Sequence, residues 1–353
     1  MAKAELGAAK TAKRDEFYTR YVDIEKEVNA YLEYDKNVFR DKTVLLPCDD
    51  PEWSDFTKFF AQNFEKLGLR KLISTSHAPT ARAMKKQPTL FETSSPIFDQ
   101  DKSVVSGRIF TLTRDINNDK RIDVKDLEWD YLEGDGDFRS REVKTLRDEA
   151  DIIITNPPFS LFREFIPWII SANKKFLVIG NINAITYKEI FPLIKDNQLW
   201  LGATNFNTGL YFKVPDNFIY ASTYKFEREI DGVRVNRVPS VCWFTNLDHG
   251  RRHQPLKLMT KSENKKYSKH KEIKGIGYQK YVNCNAIEVS FGDAIPSDHQ
   301  GLMGVPITFL DKYNPDQFEI VRFRHGDDGK DLRLKDGSSP YFRILIRHRS
   351  QSA

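Results

Sequence analysis

The tetrapeptide Asn156-Pro157-Pro158-Phe159 is the segment of this chain whose residue types most directly suggest chemistry. Two consecutive prolines stiffen a turn and remove two backbone donors. The Pro157 carbonyl is thereby left as an acceptor beside the Asn156 side-chain oxygen. An exocyclic aryl amine carries two N–H donors and a lone pair delocalised into its ring. Two fixed acceptors draw such a nitrogen toward tetrahedral geometry and free the lone pair for attack. Phe159 supplies a flat face on which an extruded base stacks. Attack on the methyl of a sulfonium, as in S-adenosylmethionine, needs neither a titrating base nor a metal, because in-line positioning does most of the work. By itself the tetrapeptide also reads as a proline-rich turn capping a helix that begins near Ser160.

Three further segments fit the same pocket. Gly134-Asp135-Gly136-Asp137-Phe138 sets two carboxylates on a flexible turn, where one accepts from an adenine amino group and the Phe covers its ring. The same residues also make an ordinary acidic turn. The apolar run 44–47 leads into Cys48-Asp49-Asp50-Pro51, the place where a Rossmann-like fold puts its cofactor loop. The usual glycines are missing, so a dinucleotide phosphate cradle is not indicated; a nucleoside cofactor without a pyrophosphate has less need of one. Asp15-Glu16-Phe17-Tyr18-Thr19 precedes the first strand and folds back over that pocket. Cys48 reads as a small pocket residue, because methyl transfer to an exocyclic amine needs no covalent intermediate.

These residues need a sheet to hold them. Strand-like runs at 43–47, 71–76, 152–155 and 176–179 alternate with helical periodicity, the pattern of an α/β fold with a mostly parallel sheet. Phe56, Phe59, Phe60, Phe64 and Leu67 recur at the spacing of one helical face, and 160–170 shows the same habit. Polar, β-branched segments over 88–131 read as an insertion containing a hairpin. Short apolar runs at 209–214 and 241–245 suit a closing antiparallel pair at the sheet edge. The expected organisation is a basic arm (1–14), a catalytic domain (15–248) and a smaller mixed region (249–353).

Composition bounds the class. The 353 residues include 25 Phe and 30% charged residues, with no apolar run near the roughly 20 residues that span a bilayer. Three cysteines, Cys48, Cys242 and Cys284, are far apart and odd in number, which argues against a disulfide framework and for a reducing cytoplasm. His77, His253, His270, His299 and His325 form no ligand spacing, so no metal is expected. The net charge of +5 is unevenly spread: residues 251–280 carry ten Lys or Arg against two Glu. Arg251, Arg252, Lys261, Lys265, Lys266 and Lys269 are the candidate phosphate contacts, and Arg322, Arg324, Arg333, Arg343, Arg347 and Arg349 form a second basic set. A solvated, soluble face is the plain alternative.

Taken together, the segments DEFYT (15–19), CDDP (48–51), NFEKLGLRKLI (63–73), GDGDFRS (134–140), NPPFSLF (156–162), ITYKEIF (185–191), LWLG (199–202) and MGVPITFLDKY (303–313) resemble the adenine-specific DNA methyltransferases of the EcoRI type. The resemblance implies an α/β, Rossmann-like methyltransferase sheet with a smaller C-terminal target-recognition region. It implies an enzyme that binds S-adenosylmethionine and methylates N6 of an adenine flipped from double-stranded DNA, with or without a companion restriction endonuclease and with no metal or membrane. It assigns Phe17, Tyr18, Thr19, Cys48, Asp49 and Asp50 to the methionine part of the cofactor, Asp135, Asp137 and Phe138 to its adenine, and Asn156, Pro157, Pro158 and Phe159 to the target base. The run 71–76 ends in Ser-His-Ala-Pro, without the acid that many methyltransferases place on the ribose. Rival readings are methylation of cytosine N4, RNA guanine or protein glutamine, and a non-catalytic DNA-binding protein on the same scaffold.

Overall fold

The structure, a computed structural model, describes residues 18–51, 54–78, 95–204, 206, 208–213, 227–230 and 232–349. Two compact units partition the chain: Met1–Ala184 with Gly202–Leu247, and Ile185–Leu201 with Asp248–Ala353. Among the described residues, twelve strands precede Asp248. They are β1 (Tyr18–Thr19), β2 (Thr43–Leu46), β3 (Lys71–Ser76), β4 (Arg108–Leu112), β5 (Glu128–Tyr131), β6 (Ile152–Thr155) and β7 (Lys175–Asn181), then β8 (Trp200–Leu201), β9 (Leu210–Lys213), β10 (Glu227–Ile230), β11 (Val233–Val238) and β12 (Val241–Thr245). Strand β8 belongs to the second unit.

The first unit is built on a sheet in the order β5-β4-β3-β2-β6-β7-β12. Strands β3, β2, β6 and β7 are mutually parallel. Every residue of β2 and β6 is buried, as expected of strands covered on both faces. Strand β2 has β3 on one side and β6 on the other. The chain order thus reverses at β2, and the crevice beyond the carboxyl ends of β2 and β6 is where open α/β sheets bind ligands.

The expected hairpin in the insertion is the antiparallel pair β4–β5, which extends the sheet beyond β3; residues 79–94 lie outside the described residues. One expectation needs correcting. Strand β12 does close the sheet, antiparallel to β7, but 210–213 does not pair with it. That run, β9, sits in a separate antiparallel sheet, β1-β9-β11-β10. Its partner β11, Val-Arg-Val-Asn-Arg-Val, alternates apolar and polar residues, so no continuous apolar run marked it.

The phenylalanine-rich segment forms two helices, Asp55–Gln62 and Phe64–Leu67. Ser54 caps the first by accepting from Phe56 N, and Gly68 ends the second at φ +65°. Phe56, Phe59, Phe60 and Phe64 pack in one core cluster with Val44, Leu46, Ile152, Ile154 and Trp243. Each such buried side chain contributes about 1.5–3 kcal/mol, which fixes the strand ends beneath the crevice.

The second unit carries the sheet β13 (Ala286–Glu288), β14 (Leu302–Pro306), β15 (Phe318–Phe323) and β16 (Arg343–His348), ordered β13-β14-β16-β15. No helix among the described residues is long and apolar enough to cross a membrane.

Candidate active site

Both of the leading candidate segments emerge at the topological switch point. At the end of β2, Cys48 adopts φ +69°, a left-handed conformation that costs a non-glycine residue of order 1 kcal/mol or more and recurs where a loop is shaped for a ligand. Asp49 and Asp50 follow, 6% and 2% exposed. Asp49 Oδ1 accepts from Ser54 Oγ at 2.7 Å. Thr155 Oγ1, the last side chain of β6, shares its proton between Asp49 Oδ2 at 2.5 Å and the Pro47 carbonyl at 2.6 Å. The Asp49 carbonyl accepts from Thr57 Oγ1 at 2.6 Å and from Ser74 Oγ. Asp49 therefore braces the loop against β3, β6 and the following helix. Asp50 forms a buried ion pair with Arg108 of β4, an arrangement in which loss of one partner strands the other charge.

Asn156 is half-buried immediately after Thr155, Pro157 is buried, and Pro158 and Phe159 are half-buried. Phe159 opens a short 3-10 turn, Phe159–Leu161, that leads into the helix Phe162–Ile170. Its side chain packs against the core cluster.

Phe17 and the side chain of Tyr18 lie outside the described residues. Thr19 is 3% exposed, and its hydroxyl has no hydrogen-bond partner among the described residues. Two residues on, Tyr21 N donates to Asp55 Oδ2 at 3.0 Å, which ties this segment to the first turn of the helix that leaves the Cys48–Asp50 loop. A buried hydroxyl without a partner costs about 1–3 kcal/mol. A ligand with polar atoms at this place removes that cost.

The acidic turn packs on the end of β3. Ala78 N donates to the Asp135 carbonyl at 2.7 Å. Gly136 has φ +84°, and a Cβ there would collide with the Ser76 carbonyl; only glycine permits this approach. Asp137 accepts from Arg139 N and Nε at 2.8 and 2.9 Å through Oδ1, and from Nη2 at 2.6 Å through Oδ2. Hydrogen bonding to Arg139 holds the Asp137 carboxyl below the usual carboxylate range. Asp135 is exposed and lies 3.7 Å from His77 Nε2. Phe138 is placed differently from the expectation. It is 3% exposed and packs edge-on against Phe165 and Trp168, at 5.1 and 5.4 Å between centroids. Its ring belongs to the core and supplies no open face.

The basic candidates separate into two groups. Arg252 is buried, lies 3.7 Å above the Trp200 ring and donates to Asn197; it is a packing residue, not a phosphate contact. Arg251 is paired with Asp311 at 2.6 Å. Arg322, Arg324, Arg333, Arg343 and Arg347 each meet a carboxylate, from Asp327, Asp331, Asp328, Glu288 and Glu319 respectively, and Arg349 donates to the Pro315 carbonyl. Counting charge along the chain missed these partners because several stand on other elements. Lys261 is half-buried, Lys265 and Lys266 are exposed, and Lys269 is exposed and paired with Asp293 at 2.7 Å. Among the described residues the ammonium groups of Lys261, Lys265 and Lys266 form no ion pair, although Lys261 N donates to Asp298 Oδ1 at 2.8 Å.

Thr155, Ser54 and Arg108 are the residues that the sequence did not single out. Thr155 was detectable as the lone hydroxyl closing a run of isoleucines. Arg108 had no local signal, because its partner lies 58 positions away.

Comparison with known proteins gives the family. The model of the family described as adenine-specific methyltransferase EcoRI matches residues 5–349. The chain is 42% identical to the Type II methyltransferase M.EcoRI of Escherichia coli, over 98% of this chain and 96% of that protein. It is 35% identical to the Type II methyltransferase M.MpnI of Mycoplasma pneumoniae over 97% of each chain, and 36% identical to M.MgeORF184P of Mycoplasma genitalium over 96% and 97%. No solved structure gives a significant match. An alignment over nearly the full length at these identities establishes that the chain belongs to the EcoRI family of adenine-specific methyltransferases.

Proposed function

We propose that this adenine methyltransferase binds S-adenosylmethionine at the carboxyl ends of β2 and β3, beside the crevice between β2 and β6, and methylates N6 of an adenine extruded from double-stranded DNA at one short sequence. The observation that carries the reading is the bridge from Thr155 to Asp49, at 2.5 Å, which holds the Cys48–Asp50 loop and the Asn156–Phe159 turn at adjoining strand tips. When bound, the cofactor supplies a methyl carbon on a sulfonium, an already activated leaving group. The Asn156 side-chain oxygen and the Pro157 carbonyl accept from the two N6 hydrogens and localise the nitrogen lone pair. Phe159, backed by the core, stacks on the base and restricts its approach. Thr19 and the Cys48–Asp50 loop hold the methionine end of the cofactor, with Asp49 and Arg108 positioning that loop. Asp137, pinned and kept ionised by Arg139, accepts from the adenine amino group of the cofactor, with Asp135 as a second acceptor at the rim.

Residues 15–248, apart from 185–201, which fold with the second unit, form the catalytic domain, and 249–353 the target-recognition region, whose lysines contact phosphates. Nothing in this chemistry requires a metal. The Type II methyltransferase names of the relatives fit a role in restriction and modification, and the reading places the enzyme in the cytoplasm, with or without a companion restriction endonuclease. Modification-sensitive sequencing of plasmid DNA from cells expressing the chain tests the proposal. N6-methyladenine at a single short motif is the expected result; methyl groups on cytosine, or none, overturn it.

A further inference from the structure

We propose that Ile276 is a wedge that enters duplex DNA between neighbouring base pairs, a role resting on the reading of the chain as an enzyme of duplex DNA. Ile276 is 68% exposed. It stands between Gly275 at φ +79° and Gly277 at φ +91°, conformations that residues with a Cβ rarely adopt. The loop is nevertheless held. Gly275 N donates to the Lys265 carbonyl and Gly277 N to the Ile273 carbonyl, both at 2.8 Å, and Ile276 N donates to the Ile273 carbonyl at 3.2 Å. Ile273, only 3% exposed, anchors the turn. A fixed backbone thus projects one apolar side chain outward.

The charge of the segment that carries it has one dominant sign. Lys265, Lys271, Lys274 and Lys280 are exposed and have no acidic partner among the described residues. The Lys265 stem comes within 4.0 Å of the Cβ position of Gly277. Glu272 is the one acid between Lys265 and Lys280. A single exposed isoleucine is unremarkable on a protein surface; a glycine-framed one in a lysine-rich segment, with the Lys265 stem beside it, is a different object. Another protein's apolar patch would have to bury those ammonium groups. A polyanion whose apolar interior lies between two charged rails meets both demands at once, and the stacked bases of a duplex between their phosphates are such a partner. Apolar side chains of this kind part base steps, at a cost recovered from contacts that the bent duplex makes.

The test uses the full chain with Ile276→Ala and Ile276→Phe, and a duplex carrying the motif found by modification-sensitive sequencing, dye-labelled at both ends. Energy transfer reports bending, and titrations over a salt series report affinity and its slope. The wild-type chain is expected to bend the duplex. Ile276→Ala should lose the bend and bind about tenfold more weakly at an unchanged salt slope, and Ile276→Phe should keep the bend. Ile276→Ala that bends and binds as the wild type does overturns the wedge. Preference of the wild-type chain for phosphatidylglycerol vesicles over the duplex overturns it too. Failure of the proposed function reads differently: the wild-type chain then leaves plasmid DNA unmethylated, whereas failure of the wedge alone leaves wild-type methylation intact.

Discussion

Thr155 Oγ1 lies 2.5 Å from Asp49 Oδ2, so the last side chain before the candidate catalytic turn is bound to the centre of the candidate cofactor loop. Both groups are buried, and neither has water to replace the other. Thr155→Val keeps the shape and removes the donor. The expected cost is about 1–3 kcal/mol of stability, because the Pro47 carbonyl and Asp49 Oδ2 lose their shared donor. Denaturant midpoints measure that loss. Single-turnover rates at a temperature where the variant is folded should fall by more than cofactor affinity does, since the variant loosens the register of the two strand tips. A rate equal to wild type would leave the bridge a purely structural bond.

Asn156→Ala removes one of the two acceptors for the target nitrogen at a half-buried position. Methyl transfer should fall by about a hundred- to a thousandfold, the scale of losing a positioned electrostatic partner. Cofactor and DNA titrations should remain near wild type. Turnover near wild type would exclude the assigned role of that oxygen.

Asp137 and Arg139 form a two-point pair on the acidic turn. Asp137→Ala is expected to weaken cofactor binding about tenfold or more by calorimetry, with a smaller effect on DNA. Arg139→Gln should act in the same direction and more weakly, because it frees the carboxylate without deleting it. A larger effect from Asp135→Ala would transfer the adenine contact to the exposed carboxylate.

Much of this was legible in the sequence for a physical reason. Runs such as Ile152-Ile153-Ile154 are buried on both faces and have no other use, so the parallel strands and the turns after them stand out. Phe138 was not legible. An aromatic beside an acidic turn looks the same whether it faces a pocket or Phe165 and Trp168, and only the helix Phe162–Ile170 packed above it decides. Arg252 was misjudged for the same reason: a basic run in sequence gives no sign that one member lies over Trp200.

That difference separates Arg252 from its neighbours experimentally. Arg252→Ala should lower stability by about 2–4 kcal/mol, because it empties a buried site and takes a partner from Asn197 and Asp248. It should leave the salt dependence of DNA binding unchanged. Replacing Lys265, Lys266 and Lys274 by Gln should do the reverse. Stability stays close to wild type, while the slope of log K against log salt shrinks by about 2–3, near 0.9 for each phosphate that is no longer neutralised. An unchanged slope in the triple variant would move the DNA face away from this stretch.

His249 provides a pH test of the second unit. Its ring is 3% exposed, with Nε2 3.0 Å from the Leu201 carbonyl, and burial lowers its pKa to about 4. The neutral ring, with Nε2–H donating, is the form that the fold accepts. Unfolding therefore takes up a proton between pH 6.5 and about 4. The stability is fully present above pH 6.5 and is lost as pH falls toward 4, by about 3 kcal/mol in total. Carboxylates held below their usual range, such as Asp248 beside His253, add losses at the acid end, so the wild-type curve alone does not isolate the imidazole. His249→Gln retains a donor for Leu201 and cannot titrate. Its unfolding free energy should be flatter than wild type between pH 6.5 and 4.5, with the two curves parallel above pH 7. Equal slopes in the acid window would mean that the ring is already protonated in the folded chain, and that the Leu201 carbonyl tolerates an imidazolium at its buried position.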